Sequence, residues 1–223
     1  MQKYNYQKQL DEILAAIEPG KRLLLHSCCA PCSSYCLEYL SVYFDITILY
    51  YNPNITDAKE YQKRVEEQRR LIAALNESLT GKRTEEPYGR EERIHYKISF
   101  AEGDYQPAEY MQRVKGLENC PEGGDRCREC FSMRLEYAAK YAAKDNFDFF
   151  TTTLTISPLK NADMLNEIGQ RMAERYGIEF LPSDFKKRNG YKRSIELSRE
   201  YDLYRQDYCG CVFSKRERMQ DKK

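Results

Sequence analysis

The sequence of 223 residues lacks any apolar run approaching the roughly 18 to 20 residues that cross a membrane. Its first residues, MQKYNYQKQLDEILAAI, lack the apolar core and small-residue cleavage site of a secretory leader. We therefore expect a cytoplasmic protein with no membrane partner. In that reducing compartment, nine cysteines, an odd number, are not expected to form a structural disulfide framework. Metal binding or redox chemistry is the leading explanation for them.

The sequence also lacks an excess of either charge. Thirty-six Lys and Arg residues face 35 Asp and Glu residues, and the formal charge of +1 identifies no partner. The distribution is uneven, because Lys186 to Lys223 contains 12 basic and 6 acidic residues, a local balance of +6. We expect a single α/β domain over residues 1–223, with 186–223 as a basic segment packed on the same domain, where it can face an anion.

Hydrophobic patterns predict strands that alternate with helices. The predicted strands are Arg22 to His26, Phe44 to Tyr51, Tyr96 to Phe100, Phe147 to Leu154 and Ile178 to Leu181. The predicted helices are Tyr4 to Ala16, Pro31 to Tyr39, Thr56 or Asp57 to Leu79, Pro107 to Leu117, Arg126 to Lys144 and Asn161 to Tyr176. This alternation indicates a doubly wound, mostly parallel sheet with a C-terminal helical extension. Such sheets bind ligands at the carboxyl ends of their strands.

The densest group of cysteines is HSCCAPCSSYC, His26 to Cys36, directly after the first predicted strand. Cys28 and Cys29 are adjacent, whereas the ligands of a zinc knuckle are normally separated by two or more residues. Both can face one cluster if the backbone turns sharply there. Cys32 and Cys36 follow Cys28 at the helical spacing of four, so they also fit a buried stripe of small residues.

Two further groups lie far along the chain. Cys127 and Cys130 in RCREC begin a predicted helix, whose N–H groups and dipole stabilise metal-binding thiolates. Four thiolates can hold zinc or an iron–sulfur cluster, and the spacing does not separate the two. Cys209 and Cys211 in YCGC can form a strained disulfide or a metal clamp, because only Gly210 separates them, and they can also be packing residues. The three groups share a site if their loops meet at one sheet edge.

Five longer segments, LHSCCAPCS, GDYQPAEY, DRCRECFSMRLEYAA, TTTLTISPLKN and DFKKRNGYKRSIELSREYDLYRQDYCGC, resemble the cobalamin-independent epoxyqueuosine reductase family of the QueH type. The resemblance runs from about Leu23 to Ser214 and is weakest around Gly81 to Arg93, which we interpret as a local insertion. It implies removal of the epoxide oxygen of epoxyqueuosine at the wobble position of tRNA, which leaves the cyclopentene ring of queuosine. It also implies a fold similar to the adenine nucleotide alpha-hydrolases.

The resemblance further implies the roles of the cysteines. Cys28, Cys29, Cys127 and Cys130 match the ligands of a 4Fe-4S cluster, and Cys209 and Cys211 match a redox-active pair. The resemblance also implies a second metal beside the cluster, and we expect a mononuclear iron held partly by Cys209 and Cys211. The implied partners are tRNAs with a GUN anticodon, of the Tyr, His, Asp and Asn type, and an electron donor such as a ferredoxin or flavodoxin.

Removing the epoxide oxygen takes two electrons, whereas a single cluster ordinarily delivers one at a time. We therefore expect the neighbouring iron to act on the oxygen as a Lewis acid and the dithiol to hold the second electron or restore the metal. His26 and Asp104 are the candidates for the acid that protonates the departing oxygen. Alternatively, His26 only hydrogen-bonds the turn after the first strand, and Asp104 only closes the turn before Pro107.

The run KKRNGYKR, Lys186 to Arg193, interleaves five positive charges with Gly190 and Tyr191. Single-stranded anticodon nucleotides are bound through phosphate contacts and stacking. The residues expected to make these contacts are Lys186, Lys187, Arg188, Tyr191, Lys192 and Arg193. The same run also fits a solvated loop. The hydroxyls of TTTLTISP, Thr151 to Pro158, are further candidates for binding phosphate or the cyclopentane diol.

Two other classes of protein remain open. A zinc-stabilised RNA-binding protein without catalysis predicts a colourless protein with tightly bound zinc. A thiol oxidoreductase that uses Cys29 and Cys32 as a thioredoxin-like CxxC pair predicts metal-free activity on disulfides. Neither class explains all three groups of cysteines as economically as a cluster with a redox pair does.

Overall fold

A computed structural model describes residues 4–84 and 93–221 of the chain. Its helices are α1 (Tyr6–Ala16), α2 (Ala30–Leu40), α3 (Ala58–Leu79), α4 (Pro107–Arg113), α5 (Asp125–Lys144), α6 (Ala162–Tyr176), α7 (Gly190–Glu200) and α8 (Val212–Asp221). Its strands are β1 (Lys21–His26), β2 (Phe44–Tyr50), β3 (Arg83–Thr84), β4 (Arg93–Ile94), β5 (Ser99–Glu102), β6 (Phe149–Thr152) and β7 (Glu179–Phe180). One turn of 3₁₀ helix, Thr153–Ile156, follows β6.

Five strands form one parallel sheet in the order β5-β2-β1-β6-β7. Numbered along the chain, these are the third, second, first, fourth and fifth strands of the sheet, which is a Rossmann-like order. The predicted α/β fold with a parallel sheet is confirmed. The winding reverses between β1 and β6, and sheets of this kind bind ligands at the carboxyl ends of the strands at such a point.

Helices cover both faces of the sheet. Leu23 and Leu25 of β1 pack on the side of α1, α2 and α3, whereas Leu24 packs on the side of α5 and α6. All three leucines are fully buried. Because successive side chains of a strand point to opposite faces, a strand covered on both sides needs a continuous apolar run. The sequence of β1 meets that requirement.

Local hydrogen bonds set the ends of two elements. The Asp57 carboxylate accepts bonds from two N–H groups of the first turn of α3 at 3.0 and 3.3 Å, so Asp57 is the N-cap of this helix. The strand predicted over Phe147 to Leu154 is shorter in the structure. Oγ1 of Thr152 accepts a bond from the N–H of Leu154 at 3.2 Å, which turns the chain out of the sheet and into the 3₁₀ helix.

The strand predicted over Tyr96 to Phe100 is observed as β5, which begins three residues later. Asn76 of α3 binds the backbone of Ile98 on both sides, accepting from its N–H at 2.8 Å and donating to its carbonyl oxygen at 2.9 Å. Because the backbone groups of Ile98 are occupied, the pairing of β5 with β2 begins at Ser99.

The connector predicted over Gly81 to Arg93 includes residues 85–92, which lie outside the described residues. Its ends form the antiparallel pair of β3 and β4, which the pattern did not predict. The helices of the predicted C-terminal extension are α7 and α8, and α7 packs on α2. Within residues 4–84 and 93–221, no helix combines the length and apolar character needed to cross a membrane.

Gly169 allows α6 to lie directly against β7. A Cβ atom at this position would be 2.3 to 2.6 Å from ring carbons of the buried Phe180. We expect Gly169→Ala to lower the free energy of unfolding by ~1–3 kcal/mol through overpacking, although alanine is the better helix former. Urea unfolding measures the difference, and Gln170→Ala, at the exposed neighbouring position, is the control. A Gly169→Ala protein as stable as the wild type would contradict this packing.

Candidate metal centre

The first thiols lie where β1 ends and α2 begins. Cys29 is the N-cap residue of α2, and Pro31 lies in its first turn. The Sγ atoms of Cys28, Cys29 and Cys32 all lie within 4.8 Å of one another, and those of the adjacent pair are 3.8 Å apart. Three soft sulfur donors at this separation can bind one metal ion.

The three thiols differ in pKa. Contacts with the thiols of Cys29 and Cys32 hold the pKa of Cys28 well below its usual value. Contact with Cys28 in turn raises the pKa of Cys29 to about 11 and raises the pKa of Cys32 well above its usual value. One sulfur is therefore ready to bind a metal as a thiolate, and the other two release protons when they bind it.

Buried polar side chains hold this turn from α3 and from the end of β2. Ser27 donates to Oε1 of Gln68 at 2.7 Å, and the same oxygen accepts from Ser33 at 3.0 Å. Asn52 donates from Nδ2 to the carbonyl oxygen of Ser27 at 2.8 Å. None of these four side chains is more than 1% exposed. The backbone beside Cys28 is therefore fixed by the protein itself.

The second pair of thiols lies in the first two turns of α5, which begins at Asp125, one residue before the predicted start. The Sγ atom of Cys127 accepts a bond from the N–H of Gly123 at 3.2 Å. Burial raises the pKa of Cys127 to about 11 and that of Cys130 to about 12. Metal binding at these sulfurs therefore displaces two protons.

Arg134 of α5 links the two groups of thiols. It is 1% exposed, and its Nη1 lies 4.0 Å from Sγ of Cys130. Its Nη2 donates to Oδ1 of Asn52 at 2.5 Å, and its Nε lies 3.3 Å from Nε2 of His26. Burial lowers the pKa of Arg134, but the thiols of all three cysteine groups raise it by more. A buried positive charge therefore lies among the cysteines.

Cys209 brings the third group of cysteines to the other two. It is half-buried, and all nine cysteines of the chain are free thiols. One cleft is lined by Cys28, Cys29, Cys32 and Cys209. A second cavity is lined by Cys127, Cys130, Cys209 and Cys211. Because Cys209 lines both, the three groups meet at this residue.

Lys160 is a second cation between the cysteine groups, and it lines both the cleft and the cavity. Its backbone N–H donates to the carbonyl oxygen of Ser157 at 3.2 Å, in the turn after the 3₁₀ helix. Burial lowers the pKa of Lys160, but Cys209, Cys28 and Cys32 raise it by more, so the ammonium remains charged. It forms no ion pair with a carboxylate in the described part of the chain.

A buried amide supplies an oxygen to the same place. Asn54 is 1% exposed and lines the cavity of Cys127 and Cys130. Its Nδ2 lies 4.0 Å from Sγ of Cys209, and its Oδ1 has no hydrogen-bond partner among the described residues. A buried oxygen without a partner costs free energy that a bound group can offset. Sulfur donors, this oxygen and two cations together fit a bound thiolate–metal group.

The two remaining thiol positions of HSCCAPCSSYC differ from each other. Cys32 belongs to the group of three sulfurs within 4.8 Å, so it can contact a bound metal. Cys36 is fully buried in the core, and its Sγ donates to the carbonyl oxygen of Cys32 at 3.4 Å. The interpretation as a packing residue fits Cys36, whereas Cys32 both packs against the same core and faces the other two sulfurs.

Neither candidate for the proton donor lines the cleft or the cavity. His26 is fully buried, with Nδ1 2.8 Å from Oγ1 of Thr152 and Nε2 3.1 Å from the carbonyl oxygen of Tyr51. Burial and then the charge of Arg134 lower the pKa of His26 to about 3, so the ring is neutral. Asp104 is exposed in the loop between β5 and α4. The geometry favours the alternative in which His26 fixes the turn after β1.

The basic run at α7 is only partly available to a ligand. Three of its cations form ion pairs, Lys186 with Asp184, Arg188 with Asp11, and Arg193 with Glu38. The Arg193 pair is bidentate, at 3.0 and 2.6 Å. The other three residues, Lys187, Tyr191 and Lys192, are exposed, and Tyr191 lines the cleft.

The hydroxyls of Thr151 to Pro158 are used within the protein. Thr151 donates to the carbonyl oxygen of Leu181 at 2.7 Å, and Thr155 shares a bond with Ser183 at 3.0 Å. Oγ1 of Thr153 accepts from the N–H of Cys28 at 3.4 Å. These three threonines hold the carboxyl ends of the strands together, whereas Ser157 of the same segment lines the cleft.

Sequence reasoning missed Arg134, Lys160 and Asn54. Arg134 follows Cys130 by one helical turn, so the spacing placed it on the same face of α5 and was a usable signal. Lys160 and Asn54 lie in loops, where no periodicity marks a residue that faces a site.

The fold and this centre define a Rossmann-like α/β protein with a thiol-rich candidate metal site at the point where the sheet reverses. A sequence model of a protein family, with the description epoxyqueuosine reductase QueH, matches residues 23–217 of this chain. A relative from Streptococcus pyogenes serotype M1 is 43% identical over 216 residues, 96% of this chain and 79% of the relative. A relative from Staphylococcus epidermidis is 44% identical over 218 residues, 96% of this chain and 85% of the relative.

A more distant relative, from Thermotoga maritima, is 35% identical over 202 residues, 88% of this chain and 91% of the relative. All three relatives carry the name epoxyqueuosine reductase QueH. The chain belongs to the epoxyqueuosine reductase QueH family. The resemblance found in the sequence is confirmed.

Asn52 offers a test of how the thiol turn is held. We expect Asn52→Leu to lower the free energy of unfolding by about 3 kcal/mol, because it removes a neutral acceptor from the buried Arg134 and a donor from the carbonyl oxygen of Ser27. Urea unfolding measures the loss. Gln62→Leu removes an exposed amide from α3 and is expected to change stability by no more than about 0.5 kcal/mol. Equal effects of the two substitutions would contradict the role given to Asn52.

Proposed function

We propose that the protein reduces the epoxide of epoxyqueuosine in tRNA and leaves the cyclopentene ring of queuosine. The reaction consumes two electrons and two protons and releases the epoxide oxygen as water. The observation that carries the proposal is the position of Cys209, which lines both the cleft of Cys28, Cys29 and Cys32 and the cavity of Cys127 and Cys130. Membership of the QueH family supports the choice of reaction.

The cofactor we propose is a 4Fe-4S cluster held by Cys28, Cys29, Cys127 and Cys130, with a mononuclear iron near Cys209 and Cys211. When bound, these metals supply single-electron transfer and Lewis acidity. The thiol donors suit iron with sulfide, and the unpartnered Oδ1 of Asn54 suits the harder iron ion.

The residues of the chain have separate tasks in this proposal. Cys209 and Cys211 hold two electrons as a dithiol. Lys160 keeps a positive charge in the cleft, where it stabilises negative charge that develops on the departing oxygen. Arg134 balances the charge of the thiolates from the buried side. His26 fixes the turn that carries Cys28, because both of its ring nitrogens face protein groups.

The substrate we propose is a tRNA with a GUN anticodon, and the electron donor is a ferredoxin or flavodoxin of the cytoplasm. Lys187, three residues before α7, and Lys192, in its first turn, are exposed, and neither forms an ion pair in the described ranges. Tyr191, which precedes Lys192 in the sequence, lines the cleft and offers a ring for stacking. The paired cations Lys186, Arg188 and Arg193 shape this surface.

Anaerobic purification tests the metal part of the proposal. We expect iron and acid-labile sulfide in the wild type, and loss of both in Cys28→Ser and Cys29→Ser. Cys36→Ser is the matched control, because it changes a core thiol of α2, the helix that follows the thiol turn, and should retain the metal. Stoichiometric zinc without sulfide in fresh anaerobic protein would favour the zinc-stabilised RNA-binding alternative. The loaded protein is then assayed on epoxyqueuosine tRNA with reduced flavodoxin, and unchanged epoxide would overturn the proposed reaction.

Binding of an anticodon stem-loop RNA tests the surface at α7. We expect Lys187→Ala and Lys192→Ala each to weaken binding and to reduce the slope of log K against log salt by about 0.7 to 1, the loss of one phosphate contact. Lys144→Ala is the control, since Lys144 is exposed and ends α5 beside the start of β1, away from the carboxyl ends of the strands. The same slope for all three variants and the wild type would show that the RNA does not contact this surface.

A further inference from the structure

Arg64 of α3 holds the turn between Cys209 and Cys211, although it lies far from them in sequence. Its guanidinium is 2% exposed and donates from Nη1 to the carbonyl oxygen of Cys209 at 3.1 Å and from Nη2 to that of Tyr208 at 3.4 Å. Its Nε donates to Oε1 of Glu60 at 2.7 Å. All three nitrogens of the fork are therefore used, two of them on the backbone of this turn.

Gly210 fits between Arg64 and the chain after β2. Its φ of +120° is a conformation that other residues rarely adopt. A Cβ atom here would be 2.8 Å from Cγ1 of Ile55 and 3.3 Å from Nη1 of Arg64. The carbonyl oxygen of Gly210 accepts from the N–H of Thr56 at 3.3 Å. The backbone of the turn is therefore fixed at Tyr208, Cys209 and Gly210.

Different partners hold the two sulfurs of this turn. Sγ of Cys211 accepts from the N–H of Ser214 at 3.3 Å, and Sγ of Cys209 lies 4.0 Å from Nδ2 of Asn54. Both cysteines are free thiols. A disulfide requires its sulfurs to be about 2.05 Å apart. Because the two cysteines are separated by one residue, closing that bond requires the turn itself to rearrange.

We propose that Arg64 is a positioning residue that stabilises the dithiol form of Cys209 and Cys211 over their disulfide. Its bonds to the two carbonyl oxygens belong to the dithiol geometry, so they favour that form. A couple whose reduced form is stabilised has a higher reduction potential, and its disulfide is reduced more readily. The inference rests on the proposed function in treating the two cysteines as a redox pair.

The equilibrium is measured on the metal-loaded protein without oxygen, in buffers with fixed ratios of glutathione to glutathione disulfide. Two thiols lose two electrons and two protons and form one S–S bond, while glutathione disulfide takes up both and gives two glutathione thiols. Free thiols are then alkylated. Trypsin releases Gln206 to Lys215 with both cysteines in one peptide, so mass spectrometry reads the fraction of disulfide directly.

We expect Arg64→Met to shift the equilibrium about tenfold toward the disulfide, which is about 30 mV for a two-electron couple. Arg64→Lys should give an intermediate shift, because an ammonium keeps the charge but lacks the planar fork that reaches both carbonyl oxygens. Glu60→Gln keeps Arg64 and weakens its alignment, so it should give a smaller shift in the same direction even if Arg64→Met does not fold.

Arg69→Met is the matched control. Arg69 lies on the same helix, is exposed, and pairs with Glu102 at 3.0 Å, away from the turn. The inference is overturned if Glu60→Gln and each folded Arg64 variant keep the wild-type equilibrium, or if Arg69→Met shifts it equally. The measurement uses no epoxyqueuosine, so a protein inactive on that substrate would overturn the proposed function and leave the role of Arg64 to be decided by this result.

Discussion

The centre depends on the buried charge of Arg134. This guanidinium is 1% exposed, and no carboxylate forms an ion pair with it within residues 4–84 and 93–221. It has neutral partners in Asn52 and His26, and it lies beside Sγ of Cys130. An uncompensated buried charge costs several kcal/mol, as an order of magnitude, so this position favours negative charge on the neighbouring sulfurs. Cysteines bind metals as thiolates, so a metal held at the proposed site would bring negative thiolate charge beside Arg134. The buried cation and those thiolates would then stabilise each other.

The sheet order explains why cysteines so far apart in sequence meet. The winding reverses between β1 and β6, so the loops after these strands diverge to opposite faces and leave a crevice. The turn of Cys28 and Cys29 lies on one side of this crevice, and α5 brings Cys127 and Cys130 to it. The Cys209 turn comes from outside the sheet, in the segment between α7 and α8. Two groups are therefore placed by the α/β fold and the third by an addition to it.

Sequence reasoning located the cysteines because strand ends are predictable and the carboxyl ends of parallel strands share one edge. It could not decide which cations of the basic run are available. Arg193 and Arg188 look equivalent to Lys187 in the sequence, but their carboxylate partners, Glu38 and Asp11, are more than 150 residues away along the chain. Ion pairs of that kind leave no local pattern. The neutral state of His26 also leaves no local pattern in the sequence, because it results from burial and from the guanidinium of Arg134 on α5.

The charged helix α3 sets the spacing between the first and third groups of cysteines. Gln68 accepts hydrogen bonds from Ser27 in the first thiol turn and from Ser33 at the start of α2. Arg64 donates to the carbonyl oxygen of Cys209. Gln68 and Arg64 are four residues apart, so they lie on the same face of the helix, one turn from each other. Both are buried, although most of the helix surface is polar. The sequence of α3 resembles that of a solvent-exposed helix, yet its buried side chains bond both cysteine turns. Any shift of α3 along its axis would therefore displace both turns together.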